Sequence, residues 1–133
     1  MTKEDKELLL KDLCARLPYG VKVKNVRNNF DISSFDNNVK EIKVLIEEYN
    51  IKPYLRLMSS MTRQECIQLS VLLPRYFIVI PERLACLDHI NGGIINFEVL
   101  DTIIDFYNSH HLDWRGLIPK GLALEAPEGM YKF

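Results

Sequence analysis

The sequence has 133 residues, of which 47% are hydrophobic and 26% are charged, and its formal net charge is −1. These values are typical of one globular domain and exclude a disordered chain, which is poorer in apolar residues and richer in charge. The near-neutral charge also argues against a dedicated duplex-binding protein, which carries a basic stripe that neutralises phosphates. We therefore expect a single domain over residues 1–133.

The first predicted element is a helix over residues 3–16. Thr2 and Asp5 have the spacing of a capping box, and a buried stripe at helical spacing follows them: Leu9, Leu10, Leu13, Cys14 and Leu17. The run Pro18-Tyr19-Gly20 should end this helix.

Three antiparallel strands are predicted between residues 21 and 57. Val21 and Val23 alternate with lysines, and turn-forming residues then surround a short apolar stretch near Phe30. Residues 39–46 alternate at Ile42, Val44 and Ile46, and an extended, proline-containing stretch follows over residues 49–57.

The second half of the chain is predicted to be mainly helical. Thr62 and Glu65 again have capping-box spacing, and Asn96 can cap a last long helix from residue 97. Residues 76–80 fit a strand or a buried loop, and residues 81–93 fit a short helix or a hairpin. With an irregular C-terminal tail over residues 112–133, the chain is predicted to be an α+β protein, with a small antiparallel sheet of about three strands packed with three or four helices.

The cysteines indicate a reducing compartment. Cys14, Cys66 and Cys86 are far apart and lie in apolar stretches, so we expect buried, unlinked thiols. The N-terminus does not resemble a signal peptide, and the longest apolar run, residues 76–80, is far short of the roughly 20 residues that a membrane span needs. We expect a cytoplasmic protein with no membrane partner.

His110, His111 and Asp113 are the residues that most resemble a metal or acid–base cluster. Adjacent helical residues project about 100° apart, however, and paired helical ligands are normally three or four residues apart. At the end of a helix, a histidine can instead bond the last carbonyls, and Asp113 can cap the next turn. We expect this structural arrangement, with no metal, no cofactor and no catalytic residue, and keep an enzyme or metal-dependent protein as the alternative.

Trp114 and Arg115 form a second cluster, which sits next to these histidines. Tryptophan and arginine are common at binding hot spots, and Tyr54 and Arg56 fit the same interpretation. The alternative is that Trp114 and Arg115, and likewise Tyr54 and Arg56, are anchors that hold irregular segments onto the core.

A third hypothesis is weak nucleic-acid binding through a basic patch. The patch is interrupted by Asp12, so we do not expect nucleic acid as a partner, and it consists of Lys11, Arg16, Lys22, Lys24 and Arg27. The sequence has no nucleophile elbow, phosphate-binding loop, dinucleotide fingerprint, zincin helix or EF-hand loop.

Three blocks of sequence carry a family resemblance. They are residues 8–21, with Leu17-Pro18-Tyr19-Gly20-Val21, residues 51–62, with Ile51-Lys52-Pro53-Tyr54-Leu55-Arg56, and residues 113–131, which close on Glu125-Ala126-Pro127-Glu128-Gly129-Met130-Tyr131. In these blocks the chain resembles a family of short proteins, without an assigned activity, from gut anaerobic bacteria and their phages or mobile elements. Leu57 stands where that family generally has proline.

The resemblance and the missing catalytic motifs together favour a non-catalytic interaction or accessory protein, of phage or mobile-element origin. Its expected partner is another protein, and a homo-oligomer is left open. The residues predicted to bind are Tyr54, Arg56, His110, His111, Asp113, Trp114 and Arg115.

Overall fold

A computed structural model describes residues 1–24, 29–31, 39–73, 77–80, 83–86 and 97–131. The elements within these ranges are, in chain order, α1 (Lys3–Arg16), β1 (Lys22–Lys24), β2 (Asn29–Asp31), α2 (Val39–Tyr49), β3 (Lys52–Leu55), α3 (Arg63–Leu72), β4 (Phe77–Ile80), β5 (Arg83–Cys86), α4 (Phe97–Ser109) and β6 (Leu124–Glu125). Short 3-10 turns at Leu17–Tyr19 and Met58–Ser60 follow α1 and β3. The α+β class is confirmed, as are the helices predicted from residues 3, 62 and 97.

The two predicted capping boxes form as the sequence indicates. The Asp5 amide donates to Thr2 Oγ1 at 3.0 Å, and the Glu65 amide donates to Thr62 Oγ1 at 3.1 Å. In return, the Thr62 amide donates to Glu65 Oε1 at 2.9 Å. Each box satisfies amides that have no partner inside the helix, and so fixes where α1 and α3 begin.

Four strands form the larger sheet, in the order β2-β1-β3-β6. The first three are antiparallel, as predicted, with Val23 opposite both Phe30 and Pro53. The tail adds β6 parallel to β3, with Tyr54 opposite Leu124. The sheet is therefore mixed, and the tail that was predicted to be irregular supplies one of its edge strands.

The strand predicted over residues 39–46 is wrong, because these residues form most of helix α2. Ile42 and Ile46 are buried while Val44 is 44% exposed, so the three residues do not share a face. Ile42, Ile46 and the half-buried Leu45 have helical spacing, and they form the side of α2 that packs against the core.

Residues 77–86 contain the second sheet, an antiparallel pair formed by β4 and β5 with Ile78 opposite Ala85. The strand alternative for residues 76–80 is confirmed over Phe77–Ile80, whereas the helix alternative for residues 81–93 is wrong over Arg83–Cys86. Residue 76 lies outside the described residues. Residues 87–93, the rest of the segment that fits a short helix or a hairpin, lie outside the described residues.

In the part of the chain whose side chains are described, buried apolar residues form two clusters. The first core lies between α1, α2, β1, β3 and the tail, and it contains Leu9, Leu13, Val21, Val23, Ile42, Ile46, Ile51, Leu55, Leu117, Leu122 and Ala123. The second core lies between α3, α4 and the residues that follow α4, and it contains Met61, Cys66, Leu69, Leu73, Val99, Ile103, Phe106, Tyr107 and Leu112. In the described part of the chain, we find no helix with the length and apolar character needed to cross a bilayer.

Candidate functional site

The turn after α4, residues 110–113, lies beside the end of β3. His111 has a left-handed backbone with φ of 58°, which reverses the chain where the helix ends. The Arg56 amide then donates to the His111 carbonyl at 2.7 Å, and the Asp113 amide donates to the Arg56 carbonyl at 2.8 Å. These bonds bring most of the predicted binding residues into one region.

Two arginines from distant parts of the chain bond carbonyls of this turn. Arg16 Nη2 donates to the Leu112 carbonyl at 2.7 Å, and Arg56 Nη1 donates to the His110 carbonyl at 3.2 Å. The carbonyls at the end of a helix lack intrahelical partners, and a guanidinium satisfies them while complementing the helix dipole.

His110, His111 and Asp113 have separate structural contacts, as predicted. His110 Nδ1 lies 3.0 Å from the Phe106 carbonyl, while the His111 ring stacks on Tyr131 with 3.7 Å between ring centroids. The Asp113 carboxylate accepts from the amides of Leu117 and Ile118 at 2.8 and 2.9 Å, and so caps the following turn. Among the residues that the structure describes, no group of three or more His, Cys, Asp or Glu side chains is placed to hold a metal ion.

Trp114 and Arg115 contact each other and the helices beneath them. The Arg115 guanidinium lies 4.1 Å from the centroid of the Trp114 ring, and Arg115 Nε donates to Asp12 Oδ1 at 3.1 Å. Trp114 Nε1 donates to Asn108 Oδ1 at 2.8 Å. These contacts fasten the tail to α1 and α4, which fits the anchor interpretation; binding of a partner by Trp114 and Arg115 stays a prediction.

Asp12 is a buried carboxylate with two arginine partners. Arg16 Nε donates to Asp12 Oδ2 at 2.9 Å, and Arg115 occupies the other oxygen. The side chains of Asp12 and Arg16 are both fully buried. Arg16 therefore does not belong to a surface basic patch, and Arg27, another member of the predicted patch, lies outside the described residues.

A second ion pair joins Arg56 to Glu65. Arg56 Nη1 and Nη2 donate to the two Glu65 oxygens at 2.7 Å each, in the paired geometry that makes arginine–carboxylate contacts strong. Burial acts to raise the pKa of Glu65, but the hydrogen bonds from Arg56 and from the Thr62 amide outweigh it and hold that pKa below the ordinary value. One carboxylate thus caps α3 and fixes Arg56.

A groove of about 500 Å³ lies next to this ion pair. Its walls come from residues 56–62 and 125–131, and we call it the tail groove. Because β3 and β6 are parallel, they end at the same edge of the sheet, at Leu55 and Glu125. After them, the Ala126 amide bonds the Leu55 carbonyl, whereas Arg56 bonds the backbone of His111 and Asp113, and the groove is lined by residues of both segments.

Tyr131 fastens the tail wall of this groove. Its hydroxyl accepts from the Lys22 amide at 2.9 Å and donates to the Tyr54 carbonyl at 2.6 Å, so it bonds the backbones of both β1 and β3. Tyr54, a predicted binding residue, enters this network through its carbonyl.

The structure describes the thiols of Cys14 and Cys66. Cys14 is half-buried, Cys66 is buried, and neither is linked in a disulfide. Burial raises the pKa of both thiols, and the neighbouring Glu65 carboxylate raises the pKa of Cys66 further. The prediction of unlinked thiols is confirmed for these two, although Cys14 is more exposed than expected; the Cys86 side chain lies outside the described part of the structure.

Sequence reasoning missed most of the residues that build this region. Asp12 and Arg16 have an i, i+4 spacing inside the apolar stripe of α1, which is a signal for a buried pair. Glu65 was predicted only as a cap, and Glu125, Glu128 and Tyr131 were noted only as part of the family resemblance.

Comparison of the chain with family models, curated proteins and solved structures gives no match.

Proposed function

We propose that this chain is a non-catalytic binding protein that holds an extended segment of a partner protein in the tail groove. The observation that carries the proposal is the groove itself, a concavity of about 500 Å³ between two fastened chain segments. This volume lies within the range of about 300–1,000 Å³ that is typical of small-molecule sites, so it has room for a few side chains of such a segment.

Fastened walls favour binding because little order has to be created when the partner arrives. On one side, Arg56 is held by Glu65 and also donates to the Ser60 carbonyl at 3.2 Å. On the other side, the Ala126 amide donates to the Leu55 carbonyl at 2.7 Å, and Tyr131 is bonded to β1 and β3.

The side chains of the groove favour binding over catalysis. Covalent catalysis needs a nucleophile activated by an adjacent base, and residues 56–62 and 125–131 contain no histidine or cysteine. Ser60 Oγ donates to the Leu57 carbonyl at 2.6 Å, and Thr62 Oγ1 is the N-cap acceptor of α3. Both hydroxyls are used to hold the wall in place.

The family resemblance supports the same location. Two of its three blocks, residues 51–62 and 113–131, contain the two walls of the groove. The accessory role and the phage or mobile-element origin that the resemblance implies are part of this proposal.

A groove-filling substitution tests the proposal. Peptides are first selected for binding to the wild-type protein from an unbiased display library. We expect Ala126→Phe to weaken the selected peptides about tenfold or more, because the new ring occupies the groove while the Ala126 amide keeps its bond to β3. Lys11→Phe is the matched control, since Lys11 is exposed on α1 and does not line the groove.

Equal affinities of the two variants for every selected peptide would refute the proposal, provided that both unfold at the same temperature as the wild-type protein. Peptides that lose affinity only for Ala126→Phe would support it.

A further inference from the structure

We infer that the tail groove selects a cationic segment, one that places a lysine or arginine side chain between Glu125 and Glu128. This inference rests on the proposed function, and it adds the chemistry of the partner. It follows from which polar side chains of the groove are already bonded inside the protein and which are left for a ligand.

The donor side chains of the groove are largely occupied. Four side chains with donor groups line it, and three of them, Arg56, Ser60 and Tyr131, donate to acceptors within the protein. The fourth, Thr62, uses its hydroxyl oxygen to cap α3. The Thr62 O–H is therefore the one side-chain donor that these bonds leave to an acidic ligand, and to reach the other three such a ligand would have to break existing bonds, which has a free-energy cost.

The two acidic side chains of the groove, unlike most of its donor side chains, have no ionic partner in the described structure. Glu125 and Glu128 are both exposed and both line the groove. Within the ranges that the structure describes, neither carboxylate has an ion pair with a lysine, arginine or histidine. The one cation of the lining, Arg56, is neutralised by Glu65 through two bonds of 2.7 Å. Lys22 Nζ donates to the Met130 carbonyl at 3.2 Å from outside the lining, and in the described structure it forms no ion pair with either glutamate. Among the described lining residues, the two glutamates thus carry negative charges that are not paired with a cation of the lining.

Apolar surface accompanies these charges. Leu57 and Ala126 are half-buried, and Pro127 lies between the two glutamates in sequence. Lysine and arginine have long apolar stems as well as a charged end, so one such side chain can cover Ala126 and Pro127 while its head reaches a carboxylate. Charge complementarity of this kind contributes both to specificity and to the rate of association.

The test compares two labelled peptides of the same length. One has lysine and the other has glutamate at every second position, and in both peptides the positions in between are filled by valine and serine. Binding is measured by fluorescence anisotropy at low and high salt, and the contact surface is mapped by amide chemical shifts. We expect the lysine peptide to bind at least about fivefold more tightly, with shifts in residues 56–62 and 125–131, and to weaken as salt screens the exposed carboxylates.

The decisive variant is Glu125→Gln/Glu128→Gln, which removes both charges and little volume. We expect this variant to bind the lysine peptide about as weakly as the wild-type protein binds the glutamate peptide. Glu47→Gln/Glu48→Gln is the matched control, because both residues are exposed on α2 and neither lines the groove. Equal effects of the two double variants, or equal binding of the two peptides, would overturn the inference.

The failure of this inference is distinguishable from the failure of the proposed function. If peptides selected from the unbiased library lose affinity for Ala126→Phe but carry no excess of lysine or arginine, the groove binds a partner and the cationic preference is wrong. If no selected peptide depends on Ala126, both are wrong.

Discussion

Two arginine sites flank the turn after α4, and they differ mainly in their contact with water. Arg16 and Asp12 have side chains with 0% exposure, whereas the side chains of Arg56 and Glu65 are 14% and 7% exposed. Each arginine pairs with a carboxylate, and each donates to a carbonyl of the same turn. The same chemistry therefore occurs once inside the first core and once at the edge of the tail groove.

The difference shows how burial changes the role of an ion pair. A charge that is sealed from water depends on its partner completely, since removal of that partner leaves it without solvation. A charge at a groove can be rehydrated when its partner is lost. The Asp12 site should therefore govern the stability of the fold, and the Arg56 site should mainly govern the shape of the groove.

The largest expected effect is that of Asp12→Ala. This change leaves the guanidinium groups of Arg16 and Arg115 without their shared carboxylate, and we expect the free energy of unfolding to fall by about 3–5 kcal/mol. Urea denaturation measures the loss. Asp101→Ala, at an exposed position of α4, is the control and should change stability by less than about 0.5 kcal/mol. A loss below about 1 kcal/mol for Asp12→Ala would mean that burial does not distinguish the two sites.

Glu65→Gln should have a smaller effect, about 1–2 kcal/mol at neutral pH, because glutamine retains the shape and the cap while it loses the charge. The loss should depend on pH. The pKa of Glu65 is lowered in the folded protein, so its charge stabilises the fold above the ordinary glutamate pKa of 4.5, and this contribution disappears as the pH falls through the lower folded value.

Chemical denaturation of the wild-type protein and Glu65→Gln over a range of acidic pH measures this dependence. The difference between them should be largest at neutral pH and close to zero in strong acid. A difference that does not change with pH would contradict the assignment of the stabilisation to the Glu65 charge. Gln64→Ala, at the exposed neighbouring position, serves as the control.

The smallest expected effect is that of Tyr131→Phe. It removes the hydroxyl that joins β1 to β3 and keeps the ring that stacks on His111, so we expect a loss of about 1 kcal/mol in unfolding free energy. Amide exchange should show a larger local effect in the tail than elsewhere. If the amides of the tail exchange at the same rates in the wild-type protein and in Tyr131→Phe, the Tyr131 hydroxyl does not fasten the wall of the groove.

Local signals explain which parts of this molecule are predictable from sequence. Both capping boxes lie within a single helical turn, so Thr2 with Asp5 and Thr62 with Glu65 identify α1 and α3 directly. The α2 segment misled because Ile42 and Ile46 fit both a helix and an alternating strand. Strand β6 has two residues, which is too short for any periodicity to show.

The site is less predictable because its contacts join distant parts of the chain. Asp113 as a cap needed only the residues after it, and that prediction is confirmed. The contact of Arg16 with Leu112 spans 96 positions, and that of Lys22 with Tyr131 spans 109. The residues around Arg16 and Tyr131 contain no local sequence pattern that identifies these distant backbone partners. The groove and its walls can therefore be located only from the folded structure.

The long separation between α1 and the tail also has a consequence for synthesis on the ribosome. Residues 117–123 complete the first core, and Arg115 completes the pairing of Asp12. Until these residues emerge, Leu9 and Leu13 cannot be fully enclosed, and Asp12 and Arg16 can pair with each other but not with Arg115 and the Leu112 carbonyl. The nascent chain therefore holds an incompletely covered apolar helix while the roughly 100 residues between α1 and residue 117 are made, and closure of the first core depends on contacts of high sequence separation.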